Sequence, residues 1–522
     1  MFYLSEAKNL TYALTVSWGE EPSIPIIGGR DLVKAKDLPE DIQKLKDNGY
    51  FIAGTPIDIN NDGQEAIFVG GRRGQNDALY IYDKENKKMI DIIKKTNLSD
   101  LAATHSAISI DLDKDGYQDM IIARQSGVFL YKNKKDGTFS KQLILKKRGN
   151  SSPLALAITD YDKDGNPDLY VSQFIDKVDN KLFRFHDKDH SKKNTLLTYD
   201  SVTNKFREIP EQDHNIRNMN NTFTSIWTDI NNDSYPDLIN INDTGQVGIY
   251  ENKKDKTFKR HISYPYYGSW MGIAVGDIDH DGDQDYYISN IGNTIKVSDY
   301  TRGNLKPDEK LTHDHILLRN DGKFKFIDIG KEKNINDAGF SWGAVFADLN
   351  LDTHLDLLVS QNFDQIPTQV IAPLPSQRWL YDPKTKKYVK LNKYKNPAVG
   401  QTPLSVDIDG DGIQDVIWVN MIGSIKVYKV NNEDKNNFIN IKLPDTIDFA
   451  NAKVEVYANN KKFVKEYIIG GTGFASDMSQ TLQFGLGKIE KVEKILVKTI
   501  YGKEYKFDNP KINSTVLVIK DK

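Results

Sequence analysis

Residues 111–119 read DLDKDGYQD, with aspartates at positions one, three, five and nine and a glycine at six. Carboxylates spaced two residues apart in a tight loop converge on one point, and a hard cation placed there makes the crowding favourable. Calcium suits such a set because it accepts about six to eight oxygens in flexible geometry, whereas magnesium demands a stricter octahedron. The side chains of Asp111, Asp113, Asp115 and Asp119 and the backbone carbonyl of Tyr117 are the expected ligands. Gly116 supplies the turn, since glycine adopts positive φ without a Cβ penalty. An EF-hand shares the first half of this spacing but needs a glutamate at position twelve and a following helix. Position twelve here is Ile122, in the apolar run MIIA, which reads as a buried strand.

Aspartate and glycine are also ordinary turn formers, and repetition is what separates the two readings. The loop recurs seven times, with starts 48 to 71 residues apart. Three further copies are complete: Asp160, Asp162, Asp164 and Asp168; Asp277, Asp279, Asp281 and Asp285; Asp407, Asp409, Asp411 and Asp415. Their position-seven carbonyls belong to Asn166, Asp283 and Ile413. Two copies lack the glycine: Asp229, Asn231, Asp233 and Asp237 with Ser234 and the carbonyl of Tyr235, and Asp348, Asn350, Asp352 and Asp356 with Thr353 and the carbonyl of His354. These are expected to bind more weakly. The first copy keeps Asp58, Asn60 and Asp62 but has Ala66 at position nine, so it is expected to be the emptiest of up to seven calcium sites.

The elements that must hold these loops follow from the flanking runs. Each loop lies between two short apolar stretches, such as LALAI and LYVS, which makes two strands joined by a metal-clamped hairpin. A third run recurs downstream (VFLYKN, VGIYEN, ILLRN, RWLYD, IKVYK), usually followed by a turn and an aromatic at Phe139, Phe258 or Phe326. Four strands per period, with turn residues between them, predict an all-β chain folded as a seven-bladed β-propeller over 51–432. Tyr131, Tyr250, Trp379 and Tyr428 are expected to pack between blades. A propeller also explains 522 residues without one oversized core, because each blade packs on its neighbours.

The chain has no cysteine, which excludes disulfides and thiolate metal sites. Carboxylate-rich calcium sites fill best where calcium is plentiful, so a secreted, surface or periplasmic location is expected, although residues 1–18 lack the pattern of an export signal. No run reaches the length of a membrane span. The net charge of −3 conceals an asymmetry: setting aside the 24 loop aspartates leaves 49 of the 73 acids against 70 bases. Lysine clusters such as KENKK, ILKKRG, DHSKK and NNKKFVKE favour an anionic partner, for instance acidic polysaccharide, or are simply solvated edges. Nothing points to nucleic acid.

The repeated DxDxDGxxD loop flanked by short strands resembles the FG-GAP/VCBS repeats of integrin-like calcium-binding propellers. The tail, 436–522, looks like an ASPIC/UnbV domain, a small β-rich unit marked here by Gly471, Gly473 and Phe474 (GTGF), by Phe484–Gly487 (FGLG) and by a strand before Gly502. Together they are similar to the cartilage acidic protein family and its bacterial relatives. The resemblance implies secreted, calcium-stabilised adhesive or scaffolding proteins binding a protein or glycan. Two departures stand out: vertebrate members carry a cysteine-rich module, and the family's Trp-Pro pair is Thr499 and Ile500 here. FGLG is expected to be a tight turn.

Residues 1–50 are expected to close the ring, with LTYALTVSW (10–18) pairing beside Val427 and Tyr428 and a short helix within 37–49. The alternative to a binding module is an enzyme, a lyase or dehydratase acting on acidic sugars. Its candidates are His313 and His315, which would share one face of a strand and could bind a transition metal, and His186 and His190 in a long loop. The insertions 174–222 and 290–340 are expected to carry specificity, with Arg184, Arg217, Tyr264, Tyr266, Tyr267 and Trp270 placed for sugar or anion contact. No hydrolase, metalloprotease or phosphate-loop motif occurs in a credible context.

Overall fold

A computed structural model describes residues 4–5, 23–26, 30–34, 51–175, 192–217, 221–292, 305–366, 369–391, 396 and 398–519. Among them the chain is all-β. Seven antiparallel sheets follow one another, six of four strands and the third of five, and their first strands in chain order are Phe51–Ile57, Thr104–Ile110, Ser151–Thr159, Asn221–Thr228, Ile273–Gly276, Ser341–Ala347 and Val399–Val406. Every nine-residue loop joins the first strand of a sheet to its second. The third runs form the strands Gly127–Asn133, Gly248–Asn252, Ile316–Asn320, Gln377–Asp382 and Lys426–Val430, and fourth strands begin at Phe139, Phe258 and Phe326.

First and second strands are almost wholly buried because each sheet is covered on both faces. Continuous rather than alternating apolar runs are the consequence. Sheets one and two share a hydrophobic cluster around Phe68 and Ile122, and equivalent clusters join each sheet to the next. The seventh shares one with the first, through Leu404 and Val419 against Phe51 and Val69, so the arrangement is propeller-like. Tyr131, Tyr250, Trp379 and Tyr428 are buried in these seams.

The seventh sheet takes its outer strand from the N-terminus, where Leu4 pairs with Val430 and Ser5 with Lys429. The expected pairing segment 10–18 and the helix within 37–49 lie outside the described residues. The C-terminal region forms two further sheets. One sets Asn437–Lys442 antiparallel to Thr481–Gly487 and parallel to Thr515–Leu517; the other holds Lys461–Glu466, Lys453–Ala458, Lys494–Lys498 and Glu504–Asp508 in that order. FGLG is therefore not a turn but the end of a strand. A β-carbon on Gly485 would lie 1.9 Å from an Asp348 carboxylate oxygen, so close approach to the sixth loop excludes a side chain there.

The GTGF segment and its flanks run through the middle of the seven sheets. Ser476 Oγ accepts the Gly54 amide at 3.2 Å, and Asp477 accepts the Ser109 amide at 3.2 Å. Ile469 and Gly470 add a short strand beside Ile158 and Ala157. Thr224 Oγ1 donates to the Gly471 carbonyl at 2.6 Å, Gly473 bridges to Ile273, Trp342 packs on Phe474, and Thr402 Oγ1 accepts the Phe474 amide at 3.3 Å. One loop thus meets the first strand or its immediate edge in every sheet, which requires those strands to surround a common axis.

Candidate metal centres and the domain that covers them

All seven loops share one hydrogen-bond plan. The position-one aspartate accepts the amide of position six, from Gly63, Gly116, Gly165, Ser234, Gly282, Thr353 and Gly412, at 2.7–3.1 Å. The position-five carboxylate accepts the amide two residues on, the local turn that aspartate favours. Positive φ occurs at position four as well as six, in residues as different as Lys114, His280 and Leu351. Except in the first loop, where it is Ala66, position nine is an aspartate that ties the loop to the rest of its sheet: Asp237, for example, accepts the amides of Ile230 at 3.1 Å and of Asn252, in the third strand, at 2.8 Å. The degenerate loops therefore keep the same backbone.

They differ in where the carboxylates meet. In four loops three aspartates bring oxygens within 4.8 Å of one another: Asp111, Asp113 and Asp115; Asp160, Asp162 and Asp168; Asp277, Asp279 and Asp285; Asp407, Asp409 and Asp415. These are the four complete motifs. The donors are all oxygen, mostly anionic and partly sheltered from water, a set that fits a hard divalent cation. Burial, reinforced by the neighbouring aspartates, pushes the carboxyl of Asp119 up to about 7, those of Asp285 and Asp415 up to about 8, and that of Asp168 well above the usual range. That is the electrostatic cost a cation would offset. Lysines already approach the outer oxygens, as in Lys256 with Asp162 at 2.7 Å and Lys429 with Asp411 at 2.8 Å.

The C-terminal domain lies across the loop face and touches every loop. Lys442 pairs with Asp58 at 3.3 Å; the Asp445 carbonyl accepts the Asp111 amide at 2.7 Å; Tyr501 donates to Asp160 at 2.6 Å; Lys453 pairs with Asp229 at 2.9 Å. Phe463 sets its ring against His280 in the fifth loop, the Gly487 amide donates to Leu351 in the sixth at 2.7 Å, and Asn440 and Gln483 both donate to the Gly412 carbonyl in the seventh at 2.8 Å. Glu466, buried, accepts Thr228 at 2.7 Å and the Asp229 amide at 3.0 Å. Of the three lysines in NNKKFVKE, Lys461 is exposed, whereas Lys465 is half-buried with Asp348 opposing the fall in its pKa that burial causes, and Lys462 lines a cleft of about 370 Å³ with Asp229, Asp281 and Lys498.

Among the described residues the enzyme candidates do not assemble. His315 is fully buried, its Nε2 donating to the Gly339 carbonyl at 2.8 Å and its Nδ1 accepting the Tyr287 hydroxyl at 2.8 Å, so neither nitrogen is left for a metal. Since the strand begins only at Ile316, the two-residue spacing to His313 does not place both rings on one face. Trp270, expected to meet sugar, is buried and donates to the Gly245 carbonyl at 2.9 Å. Tyr267 donates to Glu309 at 3.0 Å, and Arg217 is exposed. Arg184, His186 and His190 lie outside the described residues. Among the described residues no helix is long and apolar enough to cross a membrane.

Fold and loops together define the class: an all-β repeat protein carrying FG-GAP-like repeats, matched at residues 111–171 and 229–288, followed by an ASPIC and UnbV segment matched at 446–522. Over most of its length the chain is similar to cartilage acidic protein 1, at 23% identity to that of Xenopus tropicalis over 466 residues and 22% to that of Homo sapiens over 472. Each alignment covers 83% of this chain, and 68% and 66% of the relatives respectively. Among solved structures, a Bacillus licheniformis rhamnogalacturonan lyase superposes with a TM-score of 0.41 at 11% identity, covering 74% of this chain and 72% of the lyase.

Proposed function

We propose that the chain is a calcium-stabilised binding or scaffold module working outside the cytosol, a seven-bladed propeller whose ions are structural. The observation that carries this reading is the convergence of three carboxylates in each of the four complete loops. Asp111, Asp113, Asp115 and Asp119, with their counterparts starting at 160, 277 and 407 and the carbonyls of Tyr117, Asn166, Asp283 and Ile413, would hold the ions. A bound ion supplies positive charge to a like-charged cluster and so links metal affinity to folding free energy. The chain's own residues do the rest. Position one fixes the turn, position nine anchors it to the third strand, and the C-terminal domain presses on the assembled face.

Such carboxylate sites are best filled at extracellular calcium levels, and similarity to cartilage acidic protein 1 supports the same compartment. With loops and C-terminal domain occupied with one another, the opposite face and blade edges are left to meet a protein or glycan. Limited proteolysis tests the calcium part: calcium should protect bonds within 111–119, 160–168, 277–285 and 407–415 that chelator exposes. Identical digests in both would count against it. A glycan array probed with calcium-loaded protein, with bound sugars checked for unsaturated products, then separates binding from turnover.

A further inference from the structure

The three loops with asparagine at position three are the same three whose position-one aspartate has a lysine of the C-terminal domain nearby. Lys442 meets Asp58 at 3.3 Å in the first loop, and Lys453 meets Asp229 at 2.9 Å in the fourth while also contacting Asn232. Asp58 and Asp229 are buried, so each ammonium lies against a carboxylate that water reaches poorly. In the sixth loop Lys465 stands over Phe484, 5.4 Å from the ring centroid, beside the Gly485 backbone that abuts Asp348, near that aspartate without pairing with it. Asparagine completes the arrangement from within: Asn231 donates to Asp233 at 2.9 Å, and Asn350 to Asp352 at 2.7 Å. An aspartate in that place could only repel its neighbour, and none of these three loops gathers three carboxylates in the way the complete loops do.

We propose that the C-terminal domain supplies lysine ammonium groups as built-in cations for the loops beginning at 58, 229 and 348, so that the chain takes four calcium ions rather than seven. The inference rests on the calcium reading above and adds a division of labour to it. An amide at position three and an ammonium at position one together provide donors where a complete loop needs a metal. Because the ammonium groups of Lys442 and Lys453 cannot dissociate from their own chain, these two contacts hold the C-terminal domain to the propeller at any calcium level.

The loops differ in what losing the lysine should do. The fourth keeps all its other oxygens, Asp229, Asn231, Asp233, the Tyr235 carbonyl and Asp237, whereas the first has Ala66 where a ninth-position carboxylate is needed. Lys453→Met should therefore open a fifth site, and Lys442→Met should open none. The test is native mass spectrometry of the full chain titrated with calcium chloride alone, with equilibrium dialysis as a second count. Four ions on the unaltered chain, five on Lys453→Met, and four on both Lys442→Met and Lys453→Arg are expected. More than four ions on the unaltered chain overturns the proposal whether or not any variant folds, as does a folded Lys453→Met that stays at four. No bound ion at all would overturn the calcium reading itself.

Discussion

Gly471 passes so close to Ser225 that a β-carbon on it would stand 1.7 Å from the Ser225 carbonyl oxygen, and its φ of 79° is one that side chains rarely adopt. The C-terminal domain is thereby threaded into the axis of the propeller with no room to spare. Gly471→Ala combines backbone strain with a clash against main chain, so a loss of at least ~3 kcal/mol is expected. Urea unfolding of the variant measures it, and a midpoint matching the unaltered chain would show that the threading does not matter.

Phe474 carries the same dependence through packing. Its ring lies 4.9 Å from that of Trp342 and 5.6 Å from that of Phe223, deep among the first strands. Phe474→Ala should leave a cavity and cost about 3–5 kcal/mol. Propeller and C-terminal domain should still unfold in one transition, read by tryptophan fluorescence and circular dichroism together; two separated transitions would mean that they are independent.

Thr353 and Ser234 occupy the sixth loop position with φ of 86° and 67°, where the complete loops have glycine. A β-branched side chain is the worse fit to that conformation. Thr353→Gly should therefore stabilise by about 1 kcal/mol, net of the greater freedom glycine gives the unfolded chain, and Ser234→Gly by less. Denaturation midpoints of the two single variants check both the sign and the order.

Burial lowers the pKa of His315 to about 4, against about 6.5 in an unfolded chain. A base whose folded pKa is depressed favours its neutral form in the fold, so its contribution is complete above about 6.5 and is lost as pH falls toward 4. The loss approaches ~3 kcal/mol at the acid end. Comparing His315→Gln with the unaltered chain between pH 7 and 4 isolates it: the gap between the two stability curves should narrow on acidification.

The propeller was legible because its information is local. Ligand spacing, glycine position and flanking apolar runs all fall within about twenty residues of one another, and seven copies reinforced the pattern. A ring-closing strand was expected from alternation in 10–18, which lies outside the described residues; the pairing seen beside the third strand of the seventh sheet is made by Leu4 and Ser5. What could not be read was the covering of the loops. Lys442 and Asp58 are 384 residues apart, and one lysine in a lysine-rich chain carries no mark of its partner. The signal that was available is asparagine at position three, which marks every loop that lacks a converging carboxylate triad. The histidine pair misled because two-residue spacing orients side chains together only inside a strand, and that strand starts after His315.

The central claim, that calcium holds the blades, is tested most directly by calorimetric melting of the full chain in millimolar calcium and in excess chelator. Each ion present at one hundred times its dissociation constant adds about 2.7 kcal/mol, so four together should raise Tm by more than about 5 °C. Asp285→Asn, which removes one ligand from a single complete loop, should lose part of that rise. Superimposable melts in calcium and chelator would contradict the account.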